Sequence, residues 1–270
     1  MFAILGLCMS DLGYLSQKID CAISKFLCQN FEKRTRTMPA GKYVSLCFDD
    51  FPKSAAHNAA PMIEERGWRA TWYVAGSFMG KTEPEYGAMF EATDLQKLRR
   101  NGHDFGCHTF DHIDCRSASA DDIAAQERLS TQFLHQHGIN DVRSFAFPFG
   151  SVDLASKKLM SNAGPALRGV KPGINSNDID LNMLRACGLQ DNQGGTSRAL
   201  AELNTLEEQD GWVIIFTHDV RDAPSPWGVT PTEYADLLNA VKASGAEVVS
   251  VGDMIDRLEN PDEQIQSAVA

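Results

Sequence analysis

A chain of 270 residues, 43% hydrophobic and 23% charged, has the composition of a globular protein and room for one large domain with its own core. A formal charge of -11 with no basic cluster argues against a nucleic-acid or anionic-membrane partner. No run approaches the roughly 18 consecutive apolar residues that a membrane-spanning helix needs.

The apolar start MFAILGLCM lacks a cationic leader and a following A-x-A-like site, which favours a cytoplasmic location over export. Seven cysteines (Cys8, Cys21, Cys28, Cys47, Cys107, Cys115 and Cys187) form an odd, irregularly spaced set without C-x-x-C pairs. This argues against a disulfide framework or a structural zinc site, and the cysteines read as small buried hydrophobes.

Residues 14–33 place Leu15, Ile19, Ile23 and Phe26 or Leu27 on one helical face. The reading is an extra N-terminal helix packed on the main domain, with a partner-binding or membrane-surface helix as alternatives. Thr35 to Gly41 reads as a linker, so the expected division is an extension over 1–41, a main domain over 42–258 and a polar tail over 259–270. From Lys42 onward, β-rich runs alternate with helical stretches. Strands are expected at Val44 to Phe48, Thr71 to Val74, Asp104 to Cys107, Ser144 to Phe147, Leu167 to Val170, Leu184 to Leu189, Trp212 to Thr217 and Glu247 to Val251. Thr93 can cap a helix ended by Gly102, Ser119 with Asp122 resembles a capping box, and Thr230-Pro231 opens a helix that closes near Gly245. Such units without a Gly-rich phosphate loop favour an α/β barrel over a nucleotide-binding sheet.

Asp49 and Asp50 follow an apolar run in SLCFDDFP, where a barrel strand emerges at its C-terminal end. Such a pair is also a common turn or helix-capping element. In NGHDFGCHTFDHID, His108 and His112 are four apart after another strand, and on a helical turn both could reach one metal ion. The spacing also arises by chance. Asp50 would complete a His-His-Asp triad with an open position, the pattern of a catalytic rather than a structural zinc. His218 ends the apolar strand in GWVIIFTHDV; a histidine there is catalytic or a hydrogen-bonded structural residue. Asp49, Asp50, His108, Pro148 and His218 all emerge at the same end of successive strands.

These segments resemble the motifs of the polysaccharide deacetylase (NodB homology) family, also called carbohydrate esterase family 4. SLCFDD resembles the first motif, NGHDFGCHTFDH the second, FAFPFG the third and VIIFTH the fifth, in the family's order. The resemblance implies a distorted (β/α) barrel of seven or eight strands and a divalent metal, Zn2+ or another such as Co2+. It implies that Asp50, His108 and His112 bind the metal, that Asp49 is the general base and that His218 is the general acid. It also implies an oxyanion donor at the backbone N–H near Phe149. Phe147, Phe149 and Trp227 would wall an acetyl pocket beside Pro148, or belong to the core, and Thr109 would support the loop.

Two departures stand out. The third motif usually carries Arg-x-Pro-x-Gly, but Ala146-Phe147-Pro148-Phe149-Gly150 has no cation to hold the base. Arg185 and Arg168 are the candidate replacements; Arg185 is favoured because LNMLRACGL resembles a segment in which relatives carry an arginine. The fourth motif, an Asp followed closely by Trp, is not evident in KPGINSNDIDLNML. The expected activity is removal of N-acetyl groups from N-acetylhexosamine units of a polysaccharide or its precursor. DFPKSAAHNAAPMIEERGWRATWYV is similar to exopolysaccharide-modifying deacetylases, including those of adhesive holdfasts. The alternatives are an O-acetyl esterase, a small-amide hydrolase, or a non-catalytic glycan-binding protein. The oligomeric state is not legible.

Overall fold

The structure, a computed structural model, describes residues 20–190 and 195–261 apart from Cys21 and Lys25. Its strands, in chain order, are β1 (Thr35–Thr37), β2 (Lys42–Phe48), β3 (Thr71–Val74), β4 (Thr82–Glu83), β5 (Gly87–Ala88), β6 (Asp104–Cys107), β7 (Ser144–Ala146), β8 (Ala166–Arg168), β9 (Asp178–Asp180), β10 (Cys187–Gly188), β11 (Gly211–Thr217) and β12 (Glu247–Val248). Seven lie side by side and parallel in the order β10, β11, β2, β3, β6, β7, β8. A parallel bridge between Arg168 and Leu184 brings the two ends of this path together. The barrel is distorted at β2: β11 pairs with its whole length, whereas β12 takes Tyr43 and Val44 and β3 takes Cys47 and Phe48.

Side-chain alternation explains how the strands position chemistry. Val44, Leu46 and Phe48 of β2 pack outward with Leu95, Leu98, Leu237 and Leu238 of the surrounding helices. Ser45 and Cys47 therefore face the interior, and the same parity carries Asp49 into the barrel mouth. Cys47, Tyr73, Ala146, Ala166, Ile214 and Phe216 form the inner core with Val251, Met254, Ile255 and Leu258. Those last four belong to the helix Val251–Glu259, which plugs the opposite end and is capped by Ser250. Truncating a plug residue such as Met254 to Ala would cost about 2–5 kcal/mol through lost burial and the cavity left behind. Asp104 ties the plug to the strands, because its Oδ2 accepts from Thr71 Oγ1 (2.8 Å) and from Gly252 N (3.0 Å).

Several expected elements take a different form. Leu15 and Ile19 of the proposed N-terminal helix lie outside the described residues, but 22–24 and 26–30 are helical. The face that packs is not the apolar stripe: Ile23 and Phe26 are exposed, and Ser24 and Cys28 are buried. The attachment is largely polar. Fully buried Lys157 donates to the carbonyls of Cys28 and Phe31 and to Asp180, so an ammonium satisfies carbonyls at the helix end. The expected linker contains β1, paired antiparallel with β9, because Asp180 and Asn182 hold Arg34 N and Glu32 O beside it. The helix Ala92–Arg100 is capped by Glu91 with Asp94, two residues before Thr93, whereas Ser119 and Thr230 cap helices as expected. The last strand stops at Val248, since Ser250 already starts the plug helix. Five described cysteines, Cys28, Cys47, Cys107, Cys115 and Cys187, are free and buried; Cys8 and Cys21 lie outside the described residues. No helix among the described residues is long and apolar enough to cross a membrane.

Candidate active site

At the end of β2, Asp49 N donates to Thr217 O of β11, fixing the strand's exit. The chain then turns through two left-handed residues, Asp50 (φ 62°) and Phe51 (φ 66°), a conformation that costs about 1–3 kcal/mol each outside glycine. Packing holds the strained pair in place, with Phe51 stacked on Phe90 at 4.5 Å and tilted against Trp72 at 4.9 Å. The turn presents adjacent carboxylates to different partners.

Asp50 faces histidines. His108 and His112 do not share a helical turn; residues 108–112 form an irregular loop with Thr109 (φ 55°) and His112 (φ 52°) left-handed. Thr109 holds this loop, as expected, by accepting Ile113 N–H on its hydroxyl at 3.0 Å. The Asn101-Gly102-His103 turn before β6 is structural. Asn101 and His103 both bond Glu64 Oε1, and His103 Nδ1 accepts Ala70 N–H, which places the ring proton on Nε2. For His108 the reverse holds. Its Nδ1 lies 2.8 Å from the Ala146 carbonyl, which only accepts, so Nδ1 carries the proton and the Nε2 lone pair faces Asp50.

One ligand atom each from Asp50, His108 and His112 lies within 4.8 Å of the others. His112 Nε2 and His108 Nε2 are 3.0 and 3.4 Å from Asp50 Oδ1. Ligands at about 2.0–2.1 Å around a tetrahedral metal are separated by about 3.4 Å, so the spacing fits a divalent cation. Burial pushes His108 down to about 4, keeping it neutral as a ligand must be. Burial opposes the charge on Asp50, but His112, His218 and His108 offset this and hold its carboxyl well below the usual carboxylate range. Both Asp50 oxygens are buried, and neither has a hydrogen bond of good geometry among the described residues. A carboxylate facing an imidazole lone pair in such a place is costly unless a cation lies between them.

Asp49 faces a different cation. Its Oδ2 is 2.5 Å from Nη2 of Arg168, and its buried Oδ1 has no donor among the described residues. The Arg168 guanidinium is itself buried, between the Tyr73 ring at 4.8 Å and the Phe216 ring at 4.6 Å. Arg168 is the register partner of Ala146 on the neighbouring strand, so the cation missing from the third motif enters from one strand over. Arg185 does not do this. Its flanking residues Leu184 and Ala186 face the inner core, which turns Arg185 outward, where Nη1 bonds Pro172 O.

His218 follows β11. Its Nδ1 is 3.2 Å from the Trp227 carbonyl, so Nδ1 carries a proton and Nε2 faces the cleft, 3.9 Å from Asp50 Oδ2. The cleft has a volume of about 270 Å³ and is lined by all five polar candidates together with Phe147, Phe149 and Trp227. Phe147 also packs edge-on to Phe145 in a core cluster, so it serves both places. Phe149 is 69% exposed, left-handed (φ 59°) and T-shaped to His112 at 4.4 Å; Pro148 beside it is buried. Gly150 permits this turn, since a Cβ there would meet Val170 at 2.2 Å. Glu85, Tyr86, Val170 and Gln190 also line the cleft and were not singled out from the sequence. Gln190 is 2% exposed, and its Oε1 has no donor among the described residues.

Residues 36–167 match the family model for polysaccharide deacetylase. The chitin deacetylase of Colletotrichum lindemuthianum is 26% identical over 216 residues, covering 78% of this chain and 79% of that protein. A family 4 acetyl xylan esterase from Clostridium thermocellum, solved in complex with a cobalt ion, is 20% identical with a TM-score of 0.55, covering 79% of this chain and 90% of that one. A pseudoenzyme of carbohydrate esterase family 4 from Bacillus anthracis is 15% identical with a TM-score of 0.56, covering 82% of this chain and 68% of that one. These matches support a member of the polysaccharide deacetylase family, and the distorted parallel barrel is the NodB-like fold. The family and the chitin deacetylase relative support a hydrolase that deacetylates an acetylated polysaccharide.

Proposed function

We propose that the protein is a metal-dependent N-deacetylase acting on N-acetylglucosamine or N-acetylgalactosamine units of a polysaccharide or its precursor. The observation that carries this reading is the pair of orphaned Asp50 oxygens facing His108 and His112 Nε2. Asp50, His108 and His112 would hold the metal, Zn2+ or another divalent ion such as Co2+. When bound, such an ion supplies a Lewis acid for the acetyl carbonyl and lowers the pKa of water.

The remaining steps belong to the chain's own residues. Arg168 occupies Asp49 Oδ2, leaving Oδ1 to take the proton of the attacking water. An amine is a poor leaving group, so the tetrahedral intermediate collapses productively only when its nitrogen is protonated. His218 delivers that proton from Nε2 while Nδ1 remains bonded to Trp227 O. Phe147, Phe149 and Trp227 would shield the acetyl group from water, and Gln190 Oε1 would accept a sugar hydroxyl. The full set Asp49, Asp50, His108, His112 and His218 supports catalysis over a purely glycan-binding role. Elemental analysis coupled to acetate release from N-acetylated oligosaccharides and from O-acetylated xylan tests the reading. Acetate from the first group with a stoichiometric divalent metal is expected; release from xylan alone would replace it with an esterase.

A further inference from the structure

His218 is the least firmly anchored of the catalytic candidates. Among the described residues its Nδ1 has one hydrogen-bond partner, a backbone carbonyl at 3.2 Å, and such a bond leaves the ring free to tilt about its own axis. A second contact removes that freedom. The Tyr86 ring lies 5.6 Å from the imidazole centroid with only 11° between their planes, whereas Phe216 and Trp227 meet it steeply, at 67° and 52°.

Tyr86 stands at the tip of the β4–β5 hairpin, in the loop 84–86, where Gly87 (φ 76°) closes the turn. Two strands this short do not hold a tip in place by themselves. Arg221 supplies the missing support. Its guanidinium donates to Glu85 O at 2.6 Å and Tyr86 O at 3.2 Å, and its Nε lies 2.8 Å from Asp219 Oδ2. Asp219 is fully buried and also binds Ser225 N and Oγ, organising the loop that carries Trp227. Trp227 Nε1 then returns to Glu85 Oε2 at 3.0 Å. The hairpin and the 218–229 loop thus brace each other on either side of one imidazole, although they are more than a hundred residues apart.

We propose that the β4–β5 hairpin is the positioning element of the general acid: Tyr86 sets the plane of His218 by stacking, and Arg221 locks the hairpin that carries it. This rests on the deacetylase reading above. Tyr86 is a positioning residue here, acting on His218 through its ring, while its hydroxyl lies beside Asp50.

Leaving-group chemistry separates this role from damage to the cleft. Acetamide cleavage in an N-acetylglucosamine tetramer needs the acid, whereas 4-nitrophenyl acetate loses a phenolate that departs unprotonated. Relative to wild type, Tyr86→Ala and Arg221→Met are expected to lower kcat on the tetramer by at least about tenfold, with KM and 4-nitrophenyl acetate turnover within about threefold. Tyr86→Phe, which keeps the ring, should retain tetramer kcat within about threefold. An NMR readout needs no activity: in metal-free protein the His218 Cε1–H resonance, identified with His218→Ala, should shift in Tyr86→Ala and Arg221→Met and stay in place in Tyr86→Phe. Equal losses on both substrates, a change confined to KM, or Tyr86→Phe as impaired as Tyr86→Ala would overturn the proposal. Wild-type protein that releases no acetate from the tetramer would instead remove the deacetylase reading, and the proposal with it.

Discussion

Arg168→Met removes the guanidinium while keeping an unbranched apolar stem in the slot between Tyr73 and Phe216. What it leaves behind is Asp49, 3% exposed, with neither carboxylate oxygen paired. Removing one partner of a buried ion pair typically costs about 3–5 kcal/mol, because the other charge stays desolvated. In a chain of this size that corresponds to a melting temperature roughly 5–9 °C lower. The catalytic loss should be separable from this. General-base catalysis contributes about 10²- to 10⁴-fold, and a carboxylate without its fork loses much of that, so kcat on an N-acetylated oligosaccharide should fall at least about tenfold. Metal content should stay near wild type, since Asp50, His108 and His112 are untouched. Adding Asp49→Asn to Arg168→Met should recover much of the lost stability and none of the turnover. The register pairing of residues 146 and 168 makes a sharper test. Ala146→Arg combined with Arg168→Ala returns the cation to the third motif, and should restore part of the rate that Arg168→Ala alone removes. Arg168→Met with kcat within about twofold of wild type, or an equal loss in Arg185→Met, would refute the assignment.

Other outcomes follow from the same geometry. His108→Ala, His112→Ala and Asp50→Ala should each lose bound metal with activity, because each removes one of three protein ligands; a full complement of metal in either histidine variant by elemental analysis would contradict the triad. Asp49→Asn and His218→Ala should keep the metal and lose turnover by about 10²- to 10⁴-fold, and His218→Ala within about threefold of wild type would exclude the acid role. Asp104 at the plug end is pushed up to about 6, chiefly by burial. A carboxyl raised above its unfolded value binds more protons in the folded state, so stability falls as pH rises from about 4 to about 6, by up to about 3 kcal/mol, and is level above that. Asp104→Asn can keep one oxygen for Thr71 and Gly252 and should lose this slope, read as the difference in urea midpoints between the two proteins; parallel midpoints across that range would show that Asp104 is not its source.

The barrel, and the rim on which the candidate residues gather, were legible because both rest on local signals. Apolar runs such as Val213 to Phe216 mark strands buried on both faces, and parallel strands deliver whatever follows them to one rim. Asp49, Asp50, His108 and His218 therefore meet although no pair except the first is close in sequence. Features set by distant packing were less legible. The N-terminal helix turns its apolar side to solvent because Lys157, more than 120 residues away, grips its carbonyl end, and no periodicity within the helix encodes that. Tyr86 gave no signal for the same reason, since its hairpin depends on Arg221 for placement.

Arg168 is the instructive intermediate case, because its signal was present and was outweighed by resemblance. Leu184 and Ala186 are apolar neighbours of Arg185 in a short extended segment, and alternation alone turns the residue between them away from the side on which they pack. In β8 the same rule places Ala166 and Arg168 together on the inner face, with Leu167 against Met160 on the other. Parity thus distinguishes the two arginines without any knowledge of relatives. The chemistry explains why a motif position can be vacated at all. Asp49 needs a guanidinium at a place in space, and two residues in register on adjacent strands can both reach it, provided that the other is small. Ala146 meets that condition, and its carbonyl still orients His108. A missing motif residue in such a barrel is therefore evidence of lost catalysis only when the register neighbours also lack the required group. Here the neighbour supplies it.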